Sequence, residues 1–295
     1  MKILVLGSKG QLGRCLKDQL EKTIHEVIYT WREQIDIVDF NAAKRKILDI
    51  FPDLIINATA YTAVDKAEKD KKTAKLINHI AVKNIADICS QLGCWFIHIS
   101  TDYVFDGNTK IPYKEGDKTN PQSVYGKTKL DGELAIKSSG CKHIIIRTAW
   151  VYSEYGNNFL KTMLRLGADR NEISIVGDQV GCPTYAQDIA KSIVEILPNL
   201  KSRKDNGLYH YCGDQACSWY DFANAIFDQK KANNLKIPNT ISSIETSAYP
   251  TAAKRPAFSV LNCSKIENDF GLYPSNWSNG ITQVIKKLMQ EGHIF

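Results

Sequence analysis

The hydrophobic pattern begins with Lys2-Ile3-Leu4-Val5-Leu6, a short apolar run that stops at Gly7 and gives way to helical character from Arg14 to Glu21. The same alternation repeats down the first half of the chain. Glu26 to Thr30 predicts a second strand and Asn41 to Ile50 a second helix. Pro52 to Asn57 predicts a third strand, near-continuously apolar, as a parallel strand covered on both faces should be. Lys71 to Leu92 predicts one long helix, with Leu76, Ile77, Ile80, Ile85, Ile88 and Leu92 mostly on one stripe. Cys94 to Ser100 predicts a fourth strand, and a loop rich in Gly, Pro and Asp from Asp106 to Asn120 leads into a helix carrying Tyr125 and Lys129. His143 to Arg147 predicts a fifth strand. Beyond Tyr152 the rhythm loosens. A helix opens at Gly156-Asn157-Asn158-Phe159 and runs through Leu166, Ile173 to Val176 is a strand, and Asp178 to Thr184 is a turn-rich loop before a helix from Ala186 to Ile196. Short strands at Leu208 to Tyr211 and Ile241 to Ile244 flank a helix around Trp219 to Phe227, and Ile281 to Met289 closes the pattern.

Strands alternating with helices predict an α/β fold, a Rossmann-type doubly wound parallel sheet. The glycines Gly7, Gly10 and Gly13 fall between the first strand and the first helix. There they permit a tight turn and close backbone approach, while the helix amino terminus offers free N–H groups to a pyrophosphate. A second small-residue turn, Ala58-Thr59-Ala60-Tyr61-Thr62-Ala63, follows the third strand at the edge where open α/β sheets bind ligands. Residues 1–152 are therefore expected to form a dinucleotide-binding domain to which later segments return, and residues 153–295 mainly a smaller, interleaved substrate lobe. After the second strand, where an NAD-preferring site would place an acid, the chain has Thr30-Trp31-Arg32-Glu33, and Arg32 could accept the 2′-phosphate of NADPH.

Composition alters this picture little. With 43% hydrophobic and 24% charged residues in a chain of 295, disorder and fibrous classes are excluded. The net charge of +6 is spread along the chain, which suits an anionic ligand and makes no case for nucleic acid. The eight cysteines (Cys15, Cys89, Cys94, Cys141, Cys182, Cys212, Cys217 and Cys263) include no C-x-x-C pair, so no metal site is expected. Several fall in predicted strands or helices as small hydrophobes, and reduced thiols in a cytoplasmic compartment are expected. The first apolar run is too short for a signal peptide or a membrane span, so no membrane insertion is expected.

The candidate chemistry lies at Tyr125 and Lys129, four residues apart and hence on one helix face. A cation near a phenol favours the phenolate and lowers its pKa, which a neutral-pH proton donor to a carbonyl requires. A hydroxyl at the end of the fourth strand, in Ser100-Thr101-Asp102-Tyr103-Val104-Phe105, can hydrogen-bond the same carbonyl oxygen. His98 reads as a core histidine and Asn78 as a satisfied polar residue within its helix.

Together, Gly7-x-x-Gly10-x-x-Gly13, Ser100 to Phe105 and Tyr125-x-x-x-Lys129 resemble the extended short-chain dehydrogenase/reductases. Pro52 to Asn57, Tyr61 to Glu68, Arg147 to Tyr152, Gly156 to Leu164, Asp178-Gln179-x-Gly181-x-Pro183-Thr184 and Arg255-Pro256 resemble, more closely, the dTDP-4-dehydrorhamnose reductase family. The resemblance implies reduction of the 4-keto group of dTDP-4-dehydro-L-rhamnose with NADPH or NADH, completing dTDP-L-rhamnose for cell-surface polysaccharide. It implies that Gly10, Gln11 and Leu12 contact the pyrophosphate, Asp36 and Ile37 the adenosine, and Ala60, Tyr61 and Thr62 the middle of the dinucleotide. Tyr125 would donate the proton, Lys129 would bind the nicotinamide ribose, and Thr101 would orient the carbonyl. Asp102, Tyr103, Trp150 and Asn158 are expected on the substrate side, with core packing the other reading of Trp150. Arg255 would meet a diphosphate through its guanidinium fork or serve in a surface salt bridge. A homodimer is common for the class. Two departures stand out: Thr59 replaces an alanine usual in that run, and Cys15 stands where some relatives carry an acid. Two other readings remain open at this point, a non-catalytic dinucleotide-binding regulatory subunit of the methionine adenosyltransferase type and a reductase or epimerase for another nucleotide-linked 4-keto sugar.

Overall fold

Alternate residues of the apolar strands face opposite ways. Ile3, Val5, Leu54, Ile56, Ile97 and Ile144 belong to one hydrophobic cluster, whereas Leu4, Leu6, Ile55, Phe96 and Ile145 belong to another. A sheet that is apolar on both faces must be covered on both, and this requirement builds the molecule. The computed structural model describes residues 1–201 and 206–292.

The first half comprises β1 (Lys2–Leu6), α1 (Gln11–Leu20), β2 (Glu26–Thr30), α2 (Phe40–Ile50), β3 (Leu54–Asn57), α3 (Val64–Lys69), α4 (Lys71–Lys75), a π-helical turn (Leu76–Ile80), α5 (Ala81–Leu92), β4 (Trp95–Thr101), α6 (Val124–Ser138) and β5 (Lys142–Thr148). There follow β6 (Val151–Tyr152), α7 (Phe159–Asp169), β7 (Glu172–Val176), β8 (Val180–Gly181), β9 (Thr184–Tyr185), α8 (Ala186–Ile196), β10 (Gly207–His210), β11 (Cys217–Ser218), α9 (Trp219–Ala232), β12 (Thr240–Ile244), α10 (Ser264–Phe270) and α11 (Trp277–Gln290).

The central sheet has six strands in the order β10-β5-β4-β3-β1-β2, and every neighbouring pair is parallel. Because β2 and β3 flank β1 on opposite sides, the winding reverses there, and the crevice at the carboxyl ends is a topological switch point. Helices α1 and α8 pack together and cover one face, and α2 and α5 cover the other, joined by Ile136 of α6. The sixth strand comes from the loosened second half. A third cluster, including Leu160, Leu164, Phe222, Ile226, Ile281 and Val284, binds α7, α9 and α11 into a separate core beside the sheet.

Two differences from the sequence reading have physical causes. Helix α1 begins at Gln11 and not at Arg14, because Gly13 lies in its first turn with no room for a side chain: a Cβ there would stand 2.2 Å from the Gly7 carbonyl oxygen. The expected single helix from Lys71 to Leu92 is interrupted by the π turn, which gives Asn78 inward work that a regular stripe would leave to an apolar residue. Helix α6 does not bury an apolar stripe; its buried positions include Gly126, Thr128, Lys129, Gly132 and Glu133. It fits because Gly132 passes so near the π turn that an added Cβ would lie 2.3 Å from the Asn78 carbonyl oxygen.

Candidate active site

The parallel strands place the ends of β1, β3, β4 and β5 on one edge. Leu6 pairs with Asn57, Asn57 with His98 and Thr101 with Thr148, so the loops carrying Gly7, Ala58, Asp102 and Ala149 all leave the sheet on that side. Gly7 has a φ of +81° and Gly10 N–H donates to the Gly7 carbonyl at 3.0 Å, closing the turn that aims the first N–H groups of α1 outward. Gln11 and Leu12 occupy that first turn with Gly13. A Cβ at Gly7 would collide with Thr59 at 2.8 Å, so the turn also nests against the loop after β3. Within that loop Ala60 and Thr62 are exposed, and the Tyr61 backbone is held at both polar atoms by Asn78. The Asn78 amide also donates to Thr128 of α6 at 3.2 Å. The π turn thus ties the proposed cofactor loop to the helix that carries Tyr125. Nothing in a single sequence marks Asn78 for this task except its departure from the apolar stripe.

Beyond β2, Arg32 is exposed and pairs with Asp36 at 3.2 Å, while Ile37 turns into the core. Lys9 of the glycine turn lies over the Trp31 ring at 4.1 Å and joins the two loops.

Thr101 ends β4, and its hydroxyl donates to Asp102 Oδ1 at 2.9 Å while accepting from Tyr103 N–H at 3.2 Å. Asp102 is only 2% exposed, and burial pushes its carboxyl up to about 6 while Ser259 and Thr101 pull it down. Tyr125 stands edge-on to Tyr103 with ring centroids 5.6 Å apart. Burial raises the Tyr125 phenol above its usual range and Thr101 pulls the other way; Asp102 and Tyr103 add to the rise. The expected lowering by Lys129 is therefore not what this arrangement gives. The reason is where the lysine points: Lys129 Nζ donates to the Ile99 carbonyl at 2.6 Å and lies 3.0 Å from His98 Nε2. Burial lowers Lys129 to about 8, opposed by Glu133 one turn further along α6.

Glu133 is itself fixed by a buried network. It accepts from Ser100 Oγ at 2.5 Å and from Arg147 Nε and Nη2 at 2.9 and 2.7 Å, so β4, β5 and α6 are locked together directly behind Thr101 and Lys129. Such a pair costs heavily to break, because either partner alone is an uncompensated buried charge.

The outer residues fall around this centre. Trp150 has a φ of +47° and stacks on Trp219 at 3.5 Å, with Gly181 so close that a Cβ would touch its ring. It is half-buried and packs against both the sheet's core and the third cluster. Arg255 donates to Asp65 at 2.7 Å and reaches Tyr103 Oη at 3.5 Å, so its guanidinium fork is engaged in a partly exposed salt bridge beside the site. Asn158 has its polar atoms occupied: Oδ1 caps α7 through Lys161 N–H, and Nδ2 donates to Gln11 and to the Ser153 carbonyl. It braces the start of α7 against the glycine turn.

Residues 1–290 match the model of the family described as RmlD substrate binding domain. A dTDP-4-dehydrorhamnose reductase of Sinorhizobium fredii is 40% identical over 298 residues, covering 99% of each chain. The chain belongs to the dTDP-4-dehydrorhamnose reductase family. Among solved structures, a dTDP-4-dehydrorhamnose reductase of Clostridium acetobutylicum superposes with a TM-score of 0.92 at 40% identity, over 98% of this chain and 100% of that one. One of Bacillus anthracis, solved in complex with NADP, superposes with a TM-score of 0.89 at 34% identity, over 97% and 99%. Against the reductase family's expected residues, the carboxyl edge brings together the glycine turn, the loop after β3, Thr101, Asp102, Tyr103, Tyr125 and Lys129. Arg32 and Asp36 follow the end of β2, next to the glycine turn on the same edge, and Asn158 lies behind that turn. Sequence reasoning passed over Asn57 and gave His98 and Asn78 no part in the site, reading them as core and satisfied polar residues; all three are 1% exposed or less and hydrogen-bonded to residues of the site.

All eight cysteines are buried free thiols. Among the described residues, no cluster of three or more His, Cys, Asp or Glu could hold a metal ion, and no helix is long and apolar enough to cross a membrane.

Proposed function

We propose that this protein reduces the 4-keto group of dTDP-4-dehydro-L-rhamnose to the alcohol of dTDP-L-rhamnose, using NADPH or NADH. The observation that carries this reading is end-to-end similarity to proteins of that name, with Thr101, Tyr125 and Lys129 all present on one sheet edge. The edge fits a dinucleotide. Gly7 and Gly13 sit where a Cβ would be crowded out, Gly10 leaves backbone exposed, and the amino terminus of α1 supplies N–H donors and a positive dipole end to the pyrophosphate.

When bound, the cofactor supplies a hydride to the carbonyl carbon. Negative charge then gathers on the oxygen, and donors aimed at it stabilise the transition state more than the ground state. Tyr125 is the proton donor. Its raised pKa keeps the phenol protonated at neutral pH, which is the form that reduction consumes. Thr101 is the second donor; its hydroxyl turns from Asp102 to the substrate oxygen by rotation about one bond. Lys129 binds the nicotinamide ribose through an N–H and lies one turn from Tyr125. Asp102, Tyr103 and Trp150 line the sugar side, and Arg255 meets the diphosphate by exchanging its Asp65 partner. A non-catalytic regulatory role would not require these three groups together. The reading includes a homodimer and a cytoplasmic location.

The test is loss of absorbance at 340 nm from NADPH and from NADH on adding freshly generated dTDP-4-dehydro-L-rhamnose. Stoichiometric oxidation with dTDP-L-rhamnose identified by mass and NMR is expected. Cofactor binding without oxidation would overturn the assignment of substrate and move the weight to another keto sugar or a regulatory role.

A further inference from the structure

Asn57, His98 and Lys129 form a buried line of hydrogen bonds beneath the catalytic edge. At its far end, Asn57 Oδ1 accepts from Thr59 N–H at 3.0 Å and from the Thr59 hydroxyl at 2.5 Å. A backbone N–H can only donate, so it fixes the amide oxygen toward Thr59 and turns Nδ2 toward His98 Nδ1, 3.2 Å away. Nδ2 is also only a donor, so Nδ1 must accept. Burial holds His98 well below its usual range, which makes the ring neutral, and a neutral imidazole has one donor and one acceptor. The hydrogen is therefore on Nε2. That nitrogen is 3.0 Å from Lys129 Nζ, which already donates to the Ile99 carbonyl at 2.6 Å. An ammonium has three donors and no acceptor, so it would oppose the Nε2 hydrogen. A neutral amine has a lone pair to accept it, one hydrogen for Ile99 and one left for the site.

We propose that His98 is a positioning residue for Lys129: held as its Nε2–H tautomer by Asn57 and Thr59, it donates to the lysine nitrogen and favours the neutral amine. To protonate Lys129, the line must break at one point, either by moving the imidazole hydrogen to Nδ1 or by turning the Asn57 amide away from Thr59 N–H. The charged and titratable neighbours are few. Tyr125 and Glu133 lie one turn before and after Lys129 on α6, His98 comes from β4, and Arg147 from β5 is engaged with Glu133. Burial has already brought Lys129 to about 8 with Glu133 opposing, so a bond that selects the amine acts where a small bias changes the charge at neutral pH. The consequence for turnover rests on the reductase reading, because there Lys129 serves Tyr125 and the ribose; the tautomer itself does not.

The experiment labels the six histidines with 15N and reads ring protonation by two-bond 15N–1H correlation, the His98 ring being the pattern lost in H98Q. A neutral ring protonated on Nε2 is expected at pH 9, above the titration of Lys129, and protonation on Nδ1 there would overturn the proposal. If H98Q does not fold, H98N, which keeps a group near Asn57, makes the same assignment. The second reading is the pH profile of kcat. In H98Q the amide can present an oxygen to the ammonium, so the limb belonging to Lys129 should move up by about one pH unit. A limb that does not move would contradict the coupling. The tautomer is read without turnover, so an inactive protein with Nε2–H would count against the substrate and not against the line.

Discussion

Replacing Asp102 by Asn should stabilise the protein at neutral pH, by an amount that shrinks on acidification. The carboxyl is 2% exposed, with Oδ1 bonded to Thr101 and Oδ2 without a hydrogen-bond partner, and burial raises it from 3.8 to about 6. A folded-state pKa above the unfolded value means the folded protein binds this proton more tightly. The group therefore costs nothing below the unfolded pKa, and stability is lost as pH rises through the folded value. A shift of that size corresponds to about 3 kcal/mol at pH 8. Asparagine keeps the oxygen that accepts from Thr101 and carries no charge to bury, so it escapes the penalty. The assay is urea unfolding of both proteins from pH 4 to 8. The variant should be favoured by up to about 3 kcal/mol above pH 6, with the advantage falling toward a constant residue by pH 4. A difference flat across this range would refute the reasoning, because groups common to both proteins cancel in the comparison. An acid retained at such a cost beside Thr101 is what a binding role would explain.

Glu133→Gln should destabilise by about 3 to 5 kcal/mol in urea unfolding at pH 7, because Arg147 would remain buried without its counter-charge; a loss under about 1 kcal/mol would show that the pair is not the lock described. Gly132→Ala sets two effects against each other. Alanine in a helix interior ordinarily gains about 1 kcal/mol, but here the new Cβ would stand 2.3 Å from the Asn78 carbonyl oxygen. Overlap with backbone should win, giving a net loss of about 1 to 3 kcal/mol and a weaker hold on the Tyr61 loop, read as a raised Kd for NADPH.

Much of the sheet was legible because a parallel strand covered on both faces must be apolar throughout, and β1 and β2 match their predicted limits residue for residue. The amino-terminal edge of α1 was not, since a glycine in a first turn looks like loop until the Gly7 carbonyl is placed against it. Helix α6 shows the limit of periodicity: its inward face is Thr128, Lys129, Gly132 and Glu133, residues that read as solvated in one dimension. The spacing of Tyr125 and Lys129 found the right helix face but not the direction of the ammonium, which depends on His98 and Ile99 from a strand about 30 residues earlier. His98 reads as core from its apolar neighbours, and it is buried, yet its ring bridges Asn57 and Lys129. Arg255 could be named from sequence, but its Asp65 partner lies 190 residues away.

The central claim is that Tyr125 delivers the proton to a sugar ketone, and the most direct measurement compares wild type with Tyr125→Phe in turnover of dTDP-4-dehydro-L-rhamnose, with NADPH binding measured on the same samples. The account predicts a loss of turnover of about a hundredfold or more, with the Kd for NADPH nearly unchanged. Turnover at the wild-type rate in the phenylalanine variant would contradict it.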